Sequence, residues 1–295
     1  MVRILRAMVQ VVSVALVVGC SPKGQVPPWS GDGLSGGQLI TADLDLLHAL
    51  VAITYQNDGL KSCTGIPLNP RFILTAGHCV VSSADQCTVK EGTSICTLKP
   101  NIMNLYFSLM EVTDVSLVNH PRDLIRQPLR VVFPARYGEA YHQDPDTLSN
   151  ADIALIELDQ DVPSETRGLL FVSHVTHLDE EVRVAGYGFE GYVMTDAQQY
   201  RAIGQQKIRA GKQKVMMSDI SGLLKLSTGV CKGDSGGPVY TSVRVSDSVE
   251  NGVVLGVISS NLADAGGDDV CRGSNYAVAI APWRSWIDQY SSTLL

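Results

Sequence analysis

From about Leu47 onward the chain is a succession of short apolar runs: "HALVAITY", "RFILTAG", "LRVVF", "ADIALIEL", "EVRVAGYG", "GPVYTSV", "GVVLGVIS" and "NYAVAI". Each is rich in Val, Ile or Leu and is separated from the next by turn-forming residues. Runs of this length and composition predict strands of an all-β sandwich or barrel rather than βαβ units. The C-terminal stretch "APWRSWIDQYSS" departs from this pattern. Pro282 suits a first helical turn, and Trp283, Trp286, Ile287 and Tyr290 recur at helical spacing. A short amphipathic helix over about 282–291 follows, its aromatic residues packing on the body. The polar segment "DQDVPSETRG" at 159–168 divides the β-rich part into halves of about 38–162 and 163–281. No internal repeat of the solenoid or propeller kind is present.

The first residues, "MVRILRAMVQVVSVALVVGC", follow another logic. Arg3 and Arg6 precede an apolar stretch too short to favour a membrane span, which predicts a signal peptide over 1–19 and an exported protein. Its end, "LVVGC", resembles a bacterial lipobox, which implies that Cys20 is lipidated and becomes the mature N-terminus. Residues 21–37, "SPKGQVPPWSGDGLSGG", are rich in Pro, Gly and Ser, so 20–37 reads as a tether or propeptide. The expected location is the cell envelope, through a lipid anchor in the outer membrane or at the cell surface. Ser21 after the cysteine is compatible with outer-membrane sorting.

Composition narrows the function. A hydrophobic share of 45% with 18% charged residues suits a folded domain. The net charge of −7 lacks the basic face that nucleic acid requires. Assigning one of seven cysteines to lipid leaves Cys63, Cys79, Cys87, Cys96, Cys231 and Cys271. In an oxidising compartment these can form three disulfides, whose pairing spacing alone leaves open. His174 and His177 lie three apart in "SHVTH" but have no further ligands at suitable spacing, so neither metal nor cofactor is expected.

The chemistry centres on "CKGDSGGPV" at 231–239. Gly, Asp and Ser are ordinary turn residues, but a serine nucleophile needs a base, a group to orient it, and donors for an oxyanion. The segment also fits the nucleophile elbow of α/β-hydrolases, in which acid and histidine follow the serine. Every histidine here precedes Ser235, so that fold has no base available. The order His78 in "FILTAGHC", Asp152 in "NADIALIEL" and Ser235 in "CKGDSGGPV" is the alternative, His–Asp–Ser.

With these three segments the chain resembles trypsin- and chymotrypsin-like serine endopeptidases over roughly residues 34–290. The resemblance implies two six-stranded antiparallel β-barrels with a short C-terminal helix, the active site lying in the cleft between them. It implies that His78 is the general base, Asp152 its orienting carboxylate and Ser235 the nucleophile, with backbone N–H groups of Gly233 and Ser235 as the oxyanion hole. It likewise implies disulfides Cys63–Cys79 and Cys231–Cys271, leaving Cys87 with Cys96. "VAGYG" at 184–188 matches the entry to the second barrel, and "GVISSN" at 256–261 the strand that receives substrate, with Ser259 beside Asp152. Protein or peptide is the implied substrate.

Several positions depart from the family. Asp152 lies further from His78 than is usual, which predicts an insertion within 82–147. Gly229 stands where trypsin-like enzymes carry an acid, so a basic side chain would find no counter-ion. Asn261 and Ser274 on the opposite wall narrow the pocket, favouring small or medium uncharged P1 residues. The family also implies an activating protease that frees an apolar amino terminus, here Leu34, to pair with Asp234. Gly33 rather than Lys or Arg precedes it, and "GDGLSGG" reads equally as linker. Two functions stand: a lipid-anchored serine endopeptidase, or a zymogen-locked or non-catalytic binding module on the same scaffold.

Overall fold

The computed structural model describes residues 38–39, 48–55, 62–99, 103–107, 125–144, 149–164, 166, 170–171, 176–194, 200–203, 206, 208–219, 221–227, 229–246, 249–262 and 270–292. The signal-peptide and lipidation expectations, Cys20 and Leu34 lie outside them.

The first half supplies β2 (Val51–Tyr55), β3 (Ser62–Pro67), β4 (Phe72–Thr75), a single helical turn α1 (His78–Val81), β5 (Ala84–Lys90), β6 (Thr93–Leu98), β7 (Met103–Phe107), β8 (Ile125–Arg126), β9 (Pro128–Pro134), helix α2 (Ala135–Gln143) and β10 (Ala154–Leu158). Its sheet runs β5-β6-β9-β10-β4-β3-β2-β7-β8. The second half supplies β11 (Leu170–Phe171), β12 (Glu181–Gly186), β13 (Gly191–Met194), β14 (Tyr200–Ile203), β15 (Arg209–Ser218), β16 (Leu223–Leu226), β17 (Pro238–Ser246), β18 (Val249–Leu262) and β19 (Ser274–Ala279). Here β15-β12-β17-β18-β19-β16 closes on itself through the β15–β16 pairing and forms a six-stranded barrel.

Only the second half is therefore the closed barrel expected. In the first, β9 pairs with β10 on one edge and β6 on the other, so no edge is left to meet β8 and the sheet stays open among the described residues. The extra pairing comes from the 82–147 insertion, which folds as the β5–β6 hairpin and, further on, as α2. A short strand β1 (Gln38–Leu39) pairs with Ala210 and Arg209 of β15, so this piece, counted with the first half by sequence, joins the second sheet.

Patterning explains which strands sit deepest. The "FILT" strand β4 and "ALIEL" strand β10 are buried along their whole length and lie side by side in antiparallel register. Strand β12 alternates exposed Glu181 and Arg183 with buried Val182 and Val184, as a strand with one face on a core should. Val184, Val215, Leu224, Val239, Leu255 and Ile258 fill the closed barrel. A 3-10 turn (Ala281–Trp283) leads into α3 (Arg284–Ser292), the predicted C-terminal helix.

Candidate active site

His78 is delivered by the buried strand β4 through the turn at Gly77. A Cβ at Gly77 would lie 2.6 Å from the ring of Tyr137 and 3.0 Å from Asp152 Oδ1, so glycine admits the close approach of these groups. Asp152, 2% exposed, sits two residues ahead of β10. Its Oδ1 accepts the His78 backbone N–H at 2.8 Å, and its Oδ2 faces His78 Nδ1 at 2.9 Å. Ser259 Oγ, on β18, donates to the same Oδ2 at 2.5 Å. Burial disfavours the charged imidazole, but the Asp152 charge and hydrogen bond outweigh it, and the His78 pKa is raised. For Asp152, burial is likewise overcome by His78 and the Ser259 hydroxyl, and its pKa is lowered.

Ser235 lies on a tight turn that Gly233 and Gly236 enter at φ of 102° and 84°, a region that favours glycine. Gly236 is further constrained, because a Cβ there would lie 2.1 Å from both the Thr64 carbonyl oxygen and Thr75 Oγ1. Ser235 Oγ donates to the Ser259 carbonyl at 3.2 Å and makes no hydrogen bond to His78. Rotation about its Cα–Cβ bond redirects the hydroxyl. Ser259, grouped by sequence with the substrate-binding residues, thus touches both Asp152 and Ser235.

Thr64 and Asp234 hold the turn from opposite sides. Thr64 N–H donates to the Ser235 carbonyl at 2.7 Å, and its hydroxyl donates to the Gly233 carbonyl at 2.9 Å while accepting Tyr187 N–H at 3.0 Å. Asp234 is 1% exposed, and its carboxylate accepts Gly188 N–H at 2.6 Å and Cys231 N–H at 2.9 Å. Burial pushes its pKa up to about 7, against those two hydrogen bonds and the charge of Arg209. Sequence reasoning missed Thr64, Tyr137 and Arg209. None belongs to a motif, and each acts through a fold contact between segments distant in the chain.

The remaining positions divide. Gly229 is buried with φ 113°, and its N–H donates to the Cys271 carbonyl at 3.0 Å. Ser274 is half-buried at the head of β19, while the Asn261 side chain lies outside the described residues. The disulfides are Cys63–Cys79, Cys87–Cys96 and Cys231–Cys271. Cys63, His78 and Cys79 place ligand-type atoms within 4.8 Å of one another, but both sulfurs are engaged in the disulfide. His177 is exposed, and His174 lies outside the described residues.

Two β units with His78, Asp152 and Ser235 gathered where they meet have the design of a chymotrypsin-like serine peptidase. The chain belongs to the Trypsin family, whose model matches residues 47–124 and 126–287. Chymotrypsin-2 of Vespa crabro is 25% identical over 213 residues, covering 68% of this chain and 78% of its own. Among solved structures, HBP superposes with a TM-score of 0.57 at 18% identity, covering 88% of this chain and 96% of its own. Neuropsin, a serine protease of mouse brain, gives 0.55 at 16%, with 86% and 98% covered. A scabies mite inactivated protease paralogue gives 0.57 at 17%, with 87% and 98% covered. At these identities the structures speak for the fold alone, whereas the family implies a protein or peptide substrate.

Proposed function

We propose that the chain is a serine endopeptidase in which His78, Asp152 and Ser235 are the catalytic residues. The observation carrying this reading is the Asp152 carboxylate, buried and shared by His78 Nδ1 and Ser259 Oγ beside the Ser235 turn. Asp152 holds the proton on Nδ1, leaving Nε2 free to take the Ser235 proton as Oγ attacks the substrate carbonyl. The N–H groups of Gly233 and Ser235 receive the oxyanion. His78 then protonates the leaving amine, and water hydrolyses the acyl-enzyme by the same route.

The pocket reading goes with it. Gly229 carries no side chain to neutralise a basic P1 residue, and its backbone conformation disfavours any L side chain there. The resemblance that assigns Ser274 and Asn261 to the opposite wall supports a preference for small or medium uncharged P1 residues. The apolar leader and "LVVGC" support export and attachment to the cell envelope by a lipid on Cys20. A second reading, a binding module on the same scaffold, is favoured by one observation: Ser235 Oγ is bonded to the Ser259 carbonyl rather than to His78.

A fluorophosphonate probe separates the two. The expected result is a single adduct on the protein that disappears in Ser235→Ala, together with cleavage of peptide substrates after uncharged residues. Absence of the adduct, with peptide binding retained, would favour the module. Intact mass of protein from a lipidating bacterial host, with the lipid on Cys20 as the expected result, tests the anchor.

A further inference from the structure

The turn that carries the proposed oxyanion hole is fixed by a buried carboxylate. Asp234 precedes Ser235, its side chain is buried, and Gly186 and Gly188 crowd it so closely that a Cβ on either would lie within 2.5 Å of its carboxyl atoms. A carboxylate this deeply buried requires hydrogen bonds and an opposite charge. The hydrogen bonds are present, from Gly188 N–H and Cys231 N–H. For the charge, the family resemblance assigns an amino terminus freed by cleavage before Leu34. The pocket itself holds another cation.

Arg209 stands at the head of β15 with its side chain 5% exposed. Its Nη1 donates to the Gly188 carbonyl at 3.2 Å. Gly188 is therefore held on both sides, its N–H by Asp234 and its carbonyl by Arg209, so the guanidinium fixes the position of the residue that donates to the carboxylate. Arg209 also acts on Asp234 through space, the smallest of the influences that oppose burial, after the Cys231 and Gly188 hydrogen bonds. The other end of the guanidinium pairs with Glu190, which is half-exposed and draws off part of the positive field. Among the described residues, neutral Gln206 also lies against the turn, its Nε2 2.8 Å from where a Cβ on Gly233 would lie, and the turn itself carries the half-buried Lys232. Across the turn, the Thr64 hydroxyl already fixes the Gly233 carbonyl from the other half of the molecule.

We propose that Arg209 is a positioning residue for the oxyanion turn, anchoring Gly188, whose N–H meets Asp234, and placing a positive charge near that carboxylate. With Thr64 it keeps the turn competent in the uncleaved chain, without a freed amino terminus. This rests on the peptidase reading above, because the turn's competence is measured at Ser235.

The test follows the rate and pH dependence of fluorophosphonate labelling on the full chain, with intact mass assigning the first residue of each labelled species. The expected result is labelling of species that begin upstream of Leu34. In Arg209→Met the rate should fall about a hundredfold, as when an oxyanion donor is lost, and the labelling midpoint should move to higher pH; Arg209→Lys should restore most of both. Glu190→Gln, on a half-exposed residue, is the control for misfolding. Releasing Arg209 from its second carboxylate should move the midpoint to lower pH, a direction that a merely structural defect would not produce. Labelling confined to species that begin at Leu34 overturns the inference and leaves the peptidase reading intact. Wild-type behaviour of Glu190→Gln, or of folded Arg209→Met, overturns it as well. No adduct on any form of the wild-type chain removes both readings.

Discussion

The Asp152 carboxylate receives a backbone N–H and an imidazole from His78 and a hydroxyl from Ser259, so a buried charge is met on every side. The sign of the pH response follows. His78 is raised above its ordinary 6.5, so the neutral imidazole that the proposed mechanism needs as base predominates only above that value, and hydrolysis should rise through a midpoint higher than 6.5. Asp152→Asn removes the charge that raises it and leaves the burial that lowers it. The midpoint should then move to lower pH as the rate drops by about four orders of magnitude, the loss known for this triad. A rate profile that keeps its midpoint in Asp152→Asn would detach His78 from Asp152. The stability contribution has a different window. The lowered Asp152 contributes above its ordinary 3.8 and the raised His78 below its ordinary 6.5, so the pair stabilises most between them. At the pocket, Gly229→Asp should not create Lys or Arg specificity. With φ of 113° an L residue costs about 1–3 kcal/mol, so the expected outcome is a lower melting temperature with P1 preference unchanged, read by thermal unfolding and peptide profiling.

At the scale of elements, the hairpin β5–β6 is an addition that the rest of the sheet does not need for its site. Strand β5 is exposed along nearly its whole length and forms the outer edge of the sheet, and Cys87 faces Cys96 directly across the pair. Cys63–Cys79, by contrast, joins β3 to the turn that bears His78. Replacing Cys87 and Cys96 by Ala should lower thermal stability and leave Ser235 labelling intact, whereas replacing Cys63 and Cys79 should lower both. Equal loss of labelling in the two would mean that the hairpin reaches the cleft. This contrast also marks what could be read from sequence. The strands and His78, Asp152 and Ser235 were legible because each lies in a short apolar run or glycine turn whose residues alone impose its local shape. Helix α2 was not, since Tyr137 and Gly138 are its buried residues and its first turn carries no acidic residue to signal a start. Nor was the open first sheet, which depends on β6 taking the edge of β9, a choice made between segments far apart in sequence.

Over the whole molecule, the two halves meet at the cleft through the Thr64 contacts, and the chain's last helix ties them from behind. Helix α3 and the 3-10 turn before it follow the closed barrel, yet their side chains reach the other half. Trp283 Nε1 donates to the Asn150 carbonyl at 2.8 Å, Trp286 Nε1 to Thr93 Oγ1 at 3.0 Å, and Tyr290 OH to the Lys90 carbonyl at 3.4 Å. Asn69 Nδ2 donates in turn to the Ser291 carbonyl at 3.2 Å, and Arg136 stacks 5.3 Å over the Trp283 ring. Asn150 also donates to the Ser221 carbonyl at 2.8 Å, so the segment leading to Asp152 is held between Trp283, in the turn before α3, and the closed barrel. Each contact is worth only about 1 kcal/mol, but together they fix the position of a carboxylate that must stay within hydrogen-bonding distance of His78. Removing residues 283–295, Trp283 included, should therefore do more than lower the melting temperature. Labelling at Ser235 should fall at temperatures where the truncated chain is still folded, because Asp152 loses its register while Ser235, held by its own barrel and by Thr64, does not. Trp283→Phe isolates that step by keeping the ring and deleting the hydrogen bond to Asn150. A small loss of stability with a larger loss of labelling rate is the expected pattern, and proportional losses in the two would reduce the helix to packing alone.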